Sequence, residues 1–193
     1  MTPREKRLHD VVRARRRGIR IILEDIHDPH NAGAIMRTAD AFGIQEVWFI
    51  FAQEKPYNPR RVGKGSSSSA NKWLSFRIFQ STEDCVAALA VEECVSVATT
   101  LHGGVPIGEV ALESFPEVAL WVGNEHRGLS EVAIASAAVR VLLPMEGMVE
   151  SLNVSVATAL CIQYLVGARI RAGKDERLTD TEATALAQEF LAR

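Results

Sequence analysis

Residues 19–51 read IRIILEDIHDPHNAGAIMRTADAFGIQEVWFIF, and this stretch decides the fold class. Its first seven residues form an apolar, β-branched run, which is typical of a buried strand. Pro29 keeps the next residues irregular, and residues 32–42 then predict a helix with Asn31 as N-cap and Gly43 at its end. Residues 44–51 are apolar again, so the whole stretch predicts a strand–helix–strand unit.

The same alternation continues along the chain. Further strands are predicted at 74–79, 94–100, 118–122 and 139–144, and further helices at about 81–89, 129–137 and 155–173. Strands that alternate with helices predict an α/β fold, a mainly parallel sheet with helices on both faces. We divide the chain into a basic helical extension (1–18), one α/β domain (19–172) and a helical tail (173–193).

The composition is that of a globular protein. Of the 193 residues, 47% are apolar and 24% are charged, enough to build one core. The three cysteines have no CxxC spacing, which argues against a disulfide framework or a zinc ribbon and favours a reducing cytoplasm. No apolar signal core and no apolar run of about 20 residues is present, so we expect a soluble, cytoplasmic protein without a membrane span.

Positive charge is concentrated in two stretches, although the net charge is only −2. Residues 1–20 contain eight Lys and Arg, and residues 55–77 contain six with no acidic residue. Charge separated in this way attracts a polyanion, although solvated surfaces would look similar. The candidate contacts for such a polyanion are Arg7, Arg15, Arg16, Arg60, Arg61 and Lys64.

Three loops that follow predicted strands carry unusual polar residues. They comprise residues 26–31, which lead into the helix with Arg37 and Asp40, then residues 123–128 (GNEHRG) and residues 144–153 (PMEGMVESLN). Parallel sheets bind ligands at the carboxyl ends of their strands. Each loop alone also has an ordinary explanation, namely an Arg37–Asp40 surface pair, a polar turn and an N-cap at Asn153.

Histidines in these loops offer further chemistry. His27 and His30, with Asp25 and Asp28 nearby, could hold a metal ion, and His126 could act as a general base. Loop histidines without such a role are more common, and we predict no metal site.

Together the three segments resemble the motifs of the SpoU (SPOUT, α/β-knot) RNA 2′-O-methyltransferases. Residues 31–43 match N-x-G-A-I-x-R-T-A-x-x-F/V-G, residues 123–128 match G-N/S-E-x-x-G, and Pro144 with residues 151–157 matches a proline followed by S-L-N-V-S-V-A. The resemblance covers about residues 19–170. Three motifs in the right order are far more specific than any one of them.

The resemblance implies a C-terminal trefoil knot, a homodimer and S-adenosyl-L-methionine as methyl donor. It also implies that the polyanion is RNA, so the six basic residues named above become predicted RNA contacts. It implies that backbone groups near Thr99, Gly123, Leu143 and Leu152 hold this cofactor. The catalytic residues that it implies are Asn31, Arg37, Glu125, Ser151 and Asn153.

The family's arginine is thought to deprotonate the ribose 2′-hydroxyl. Because the pKa of arginine exceeds about 12, we favour a different role for Arg37, in which it holds a substrate phosphate and stabilises the developing alkoxide. Asn31 and Glu125 would then fix its orientation. Glu125 could also accept a hydrogen bond from Asn31.

The third segment and the short terminal extensions are most similar to enzymes that methylate guanosine 18 in the D-loop of tRNA. The alternatives are another tRNA position, rRNA, and a non-catalytic RNA-binding knot protein. An unrelated α/β enzyme that binds a phosphorylated small molecule at the Asn31 helix is a further alternative.

Overall fold

A computed structural model of the protein describes residues 2–61, 67 and 69–192, and in this part of the chain seven strands form one sheet. The strands are β1 (Arg16–Glu24), β2 (Ile44–Ile50), β3 (Ser75–Phe79), β4 (Val95–Thr99), β5 (Val105–Pro106), β6 (Val118–Val122) and β7 (Val139–Leu142). Their order is β3-β2-β1-β6-β4-β7-β5, and every neighbouring pair is parallel. The predicted parallel sheet is therefore confirmed.

Six α-helices of the described residues accompany the sheet. They are α1 (Pro3–Arg13), α2 (Pro29–Ala41), α3 (Thr82–Val91), α4 (Glu131–Ser136), α5 (Val154–Arg171) and α6 (Asp180–Leu191). None of them combines the length and apolarity needed to cross a bilayer.

The helices cover both faces of the sheet, as predicted. Side chains alternate along each strand, so apolar residues of one strand point to both faces and pack against helices on each. Ile21 and Leu23 of β1 belong to a core that includes Ile35 of α2 and Ile162 of α5. Ile22 points the other way, into a second core with α3 and α4. The threading of a knot was implied only by the resemblance, and it stays a prediction.

The start of α2 differs from the prediction. Its N-cap is Asp28, whose side chain accepts a hydrogen bond from the backbone N–H of His30 at 2.8 Å, and the helix begins at Pro29. Proline suits this first helical position because its missing N–H would have no helical partner there. Asn31 is therefore inside the first turn, and its side chain is available for other contacts.

The two ends of the chain pack on each other instead of forming separate extensions. Leu8 and Val12 of α1 share a small buried cluster with Leu186 and Phe190 of α6. The link after α5 runs beside the start of β1, where Leu178 donates a backbone hydrogen bond to the carbonyl of Arg15 at 3.1 Å. Within the predicted basic extension (1–18), the helix ends at Arg13 and β1 begins at Arg16, earlier than the predicted strand at residue 19.

Candidate active site

The sheet brings the first two motif loops together because β1 and β6 are neighbours. Leu23 near the end of β1 is level with Val122 at the end of β6. The loops that follow, residues 25–28 and 123–128, thus leave the sheet side by side. The third loop, residues 143–153, leads from β7 into α5, and α5 packs against α2.

One chain of hydrogen bonds joins all three motifs. The Asn31 side-chain amide donates to Oε1 of Glu125 at 2.8 Å. The Asn153 amide donates in turn to Oδ1 of Asn31 at 3.1 Å, and Oδ1 of Asn153 caps α5 by accepting from the backbone N–H of Ser155 at 2.9 Å. The predicted contact between Asn31 and Glu125 is confirmed, and three of the five proposed catalytic residues form one connected group.

Glu125 is held as a carboxylate. Burial by itself would raise its pKa, but hydrogen bonds from Asn31 and from the backbone N–H groups of His27 and Asp28 outweigh burial and lower the pKa below its usual value. The two backbone bonds are 2.9 and 3.2 Å long. Glu125 therefore fastens the loop before α2 to the loop after β6, and it does so in its charged form.

Arg37 has a different environment from the one predicted. Its side chain is exposed, and in the described part of the chain it has no hydrogen bond or ion pair, so Asn31 and Glu125 do not fix its orientation. The alternative Arg37–Asp40 pair is therefore not formed there, and Asp40 binds Arg15 at 2.6 Å instead. Arg37 is thus free to contact a bound substrate. Ser151 is exposed in the third loop.

The predicted cofactor residues lie at the carboxyl ends of β4 and β6 and in the third loop. Thr99 ends β4 level with Val141 of β7, and Gly123 directly follows β6 on the other side of β4. Thr99 Oγ1 donates to the carbonyl of Trp121 at 2.8 Å, which ties the ends of β4 and β6 together. Leu143 and Leu152 are half-buried at the two ends of the third loop.

The backbone of the third loop fits a cofactor that is held by main-chain groups. Between residues 145 and 152, no backbone N–H or C=O is hydrogen-bonded to any other residue that the structure describes. Eight successive residues between β7 and α5 therefore present backbone donors and acceptors that no other described residue uses. An adenosyl group needs such partners, so the residues present fit S-adenosylmethionine.

Gly123 permits the tight return of the second loop. A Cβ atom there would lie 2.2 Å from the carbonyl carbon of Gly128 and 2.3 Å from the amide nitrogen of Leu129. Both are backbone atoms, so no side-chain rotation can relieve the overlap. Gly128 has φ of 70°, a conformation that favours glycine, and it closes the loop by exchanging two backbone hydrogen bonds with Asn124.

Two of the predicted RNA contacts are structural residues instead. Arg15 is 1% exposed and binds Asp40, and Arg16 pairs with Asp175 at 2.7 Å and also donates to the carbonyl of Phe42. The predictions for Arg15 and Arg16 were wrong because burial and acidic partners occupy both guanidinium groups. Arg7, Arg60 and Arg61 are exposed, and Lys64 lies outside the described residues.

Three residues shape the site in ways that the sequence analysis did not predict. Asn124 is 4% exposed, and its Oδ1 accepts from the backbone N–H groups of His126 and Arg127. The Asn124 amide donates to the carbonyl of Asp25 and to the carboxylate of Glu54. Asn124 lies in the second motif, so a buried amide after a strand was a usable signal, whereas Glu54 belongs to no motif. No group of three or more His, Cys, Asp or Glu side chains among the described residues is arranged to hold a metal ion.

Comparison with known proteins agrees with this geometry. Residues 18–163 match the model of the SpoU rRNA Methylase family. The chain is 32% identical over 171 residues to the tRNA (guanosine(18)-2′-O)-methyltransferase of Escherichia coli K12, covering 88% of this chain and 72% of that protein. It is also 32% identical over 174 residues to the same enzyme of Thermus thermophilus, covering 90% and 87%.

Among solved structures, the A. aeolicus TrmH/SpoU tRNA modifying enzyme superposes with a TM-score of 0.87 at 28% identity, covering 98% of this chain and 95% of that one. The chain belongs to the SpoU methylase family. The predicted class of enzyme, an RNA 2′-O-methyltransferase that uses S-adenosylmethionine, is thereby confirmed.

Proposed function

We propose that this enzyme methylates the ribose 2′-hydroxyl of guanosine 18 in tRNA, and that it works in the cytoplasm, where tRNA is found. The E. coli and T. thermophilus relatives carry this activity in their names and match most of the chain. These relatives support guanosine 18 as the target. Methyl transfer at this site is supported by the hydrogen-bonded chain Glu125–Asn31–Asn153, because it connects the three motif loops.

S-adenosylmethionine supplies an activated methyl group, so the protein's tasks are to bind, orient and stabilise. The free backbone groups of residues 145–152, with Thr99 and Gly123 opposite, would hold the adenosyl part. Glu125 and Asn31 keep the loops closed on one another. Ser151 lies exposed in the third loop, where it can contact ribose or cofactor.

Arg37 has the role of substrate contact. Its guanidinium group is exposed and has no hydrogen-bond or ion-pair partner among the described residues. Arg37 lies on α2, whose first turn contains Asn31. A permanently charged, unpaired group of this kind binds an RNA phosphate and stabilises negative charge on the 2′-oxygen. Arg7, Arg60 and Arg61 would contact RNA phosphates farther from the reacting ribose.

The active form would be a homodimer. Val156, Leu160 and Tyr164 follow one another at intervals of four residues on α5 and are 48%, 40% and 43% exposed. Met148 and Val149 of the third loop are also exposed. Exposed apolar side chains on a long helix and in a neighbouring loop are typical of a subunit interface.

Replacing Arg37 tests the division of roles. We expect Arg37→Ala to lower the rate of methyl transfer to a tRNA transcript by about 100-fold or more, since one charge-stabilising group is lost. Binding of S-adenosylmethionine, measured by calorimetry, should stay unchanged. Arg140→Ala, which removes another exposed arginine, is the matched control and should keep its activity. Loss of cofactor binding in Arg37→Ala would contradict the assigned role.

A further inference from the structure

Glu54 lies in the loop after β2, outside the three motifs, yet its carboxylate contacts two of their loops. Oε2 is 2.9 Å from Nδ1 of His27 in the first loop. Oε1 accepts hydrogen bonds from the Arg127 guanidinium at 2.8 Å and from the Asn124 amide at 3.3 Å, both in the second loop. One side chain therefore bridges the loops that Glu125 and Asn31 also join.

The backbone of Glu54 is itself anchored on a buried group. The carboxylate of Asp25, which is 5% exposed, accepts the backbone N–H groups of Ala52, Gln53 and Glu54 at 2.9, 3.0 and 3.0 Å. The Asp25 carbonyl accepts from the Asn124 amide at 2.8 Å. The end of β1 thus fixes Glu54 and Asn124 together, so that Glu54 is more than a side chain on a free loop.

We propose that Glu54 is a positioning residue, which keeps the second motif loop closed on the first and so holds Glu125 on Asn31. This inference rests on the proposed function. His27 makes the connection plain, because its backbone N–H binds Glu125 and its ring binds Glu54. Arg127 is only two residues from Glu125, so releasing His27 and Arg127 loosens both sides of the Asn31–Glu125 contact.

The bridge depends on pH through His27. The groups that face its ring are Glu54, Glu125, Asp28 and the ring of His126, whose centroid is 6.1 Å away, while Arg127 shares Glu54. The hydrogen bond that the His27 ring donates to the Glu54 carboxylate raises the pKa of His27 above its ordinary value. The contribution of charged His27 is thus complete below the ordinary histidine pKa and is lost as pH rises through the raised one. Arg127 also binds Glu54, so part of the bridge does not depend on His27.

The test compares Glu54→Gln with wild type, and with Glu109→Gln as a matched control at an exposed carboxylate away from the site. At neutral pH we expect kcat to fall about two- to fivefold, the range for a partly exposed charge pair, with the KM for S-adenosylmethionine unchanged. The ratio of wild-type to Glu54→Gln kcat should decrease between pH 6 and pH 9. Equal kcat values at every pH, or a loss that appears only as weaker cofactor binding, would overturn the proposal.

Amide hydrogen exchange gives a readout that needs no methylation. In the free enzyme, residues 123–128 should exchange faster in Glu54→Gln than in wild type, and Glu109→Gln should match wild type. Unchanged exchange in Glu54→Gln would refute the bridge even if the enzyme is active. A wild-type enzyme that methylates no RNA would instead contradict the proposed function, and exchange would still decide whether Glu54 holds the loop.

Discussion

The burial of Arg15 makes a prediction that separates folding from RNA binding. Its guanidinium group donates to the Asp40 carboxylate at 2.6 Å and to the carbonyls of Asp40 and Trp73 at 3.3 and 3.4 Å. Arg15→Met keeps the apolar length of the side chain and removes all of these bonds. The substitution leaves Asp40 without its cation, whereas the carbonyls of Asp40 and Trp73 keep the donors Gly43 N–H and the Gln45 amide.

The cost follows from the exposure of the two partners. Breaking a fully buried ion pair costs about 3–5 kcal/mol. Because the Asp40 side chain is 31% exposed and can regain water, we expect a smaller loss than this, about 2–3 kcal/mol in the free energy of unfolding. At roughly 2–4 °C per kcal/mol for a chain of this size, the Tm should fall by about 4–12 °C.

Thermal unfolding and RNA binding, measured on the same samples, check this prediction. Arg7→Met is the control, since Arg7 is exposed on α1. It should leave the Tm unchanged and reduce the salt dependence of tRNA binding by about one counterion. Arg15→Met should lower the Tm and, at a temperature where the variant is folded, leave the salt dependence of tRNA binding unchanged. An unchanged Tm together with weakened RNA binding in Arg15→Met would refute the structural role of Arg15.

Two further substitutions probe the site and its surroundings. Gly123→Ala places a Cβ atom 2.2 Å from a backbone atom and should abolish methyl transfer by displacing the second loop. The control is Gly108→Ala, where the nearest side chain is 3.5 Å away, and this variant should be active. An active Gly123→Ala enzyme would show that the loop tolerates displacement. Leu160→Glu puts a charge on the exposed face of α5 and should give folded monomers in light scattering with little activity, and a dimer that persists in this variant would place the interface elsewhere.

The sequence predicted the parts of this structure that depend on local pattern. Alternating apolar runs located β1, β2 and β6 and the helices between them, and the contact between Asn31 and Glu125 followed from two motifs at adjacent strand ends. The predicted N-cap of α2, Asn31, was wrong. Asp28 and Asn31 are both good capping residues, and only the backbone geometry shows that Asp28 is the N-cap.

Longer-range contacts could not be read in the same way. Counting charges placed Arg15 in one group with Arg7. In the structure Arg15 is buried and donates to Asp40 and to the carbonyl of Trp73, which lies 58 residues away, whereas Arg7 is exposed. Glu54 stands alone in a polar loop, and it gains its contacts only because β1, β2 and β6 end at the same edge of the sheet. Tertiary proximity, not residue type, gives these side chains their roles.

The most direct test of the central claim is transfer of labelled methyl groups from S-adenosylmethionine to unmodified tRNA, followed by nucleoside analysis. The predicted product is 2′-O-methylguanosine in the D-loop, absent when guanosine 18 of the transcript is replaced by adenosine. Label confined to rRNA, or to another nucleoside of tRNA, would contradict guanosine 18 as the target. No label in either RNA, with the enzyme folded, would contradict methyl transfer by this site.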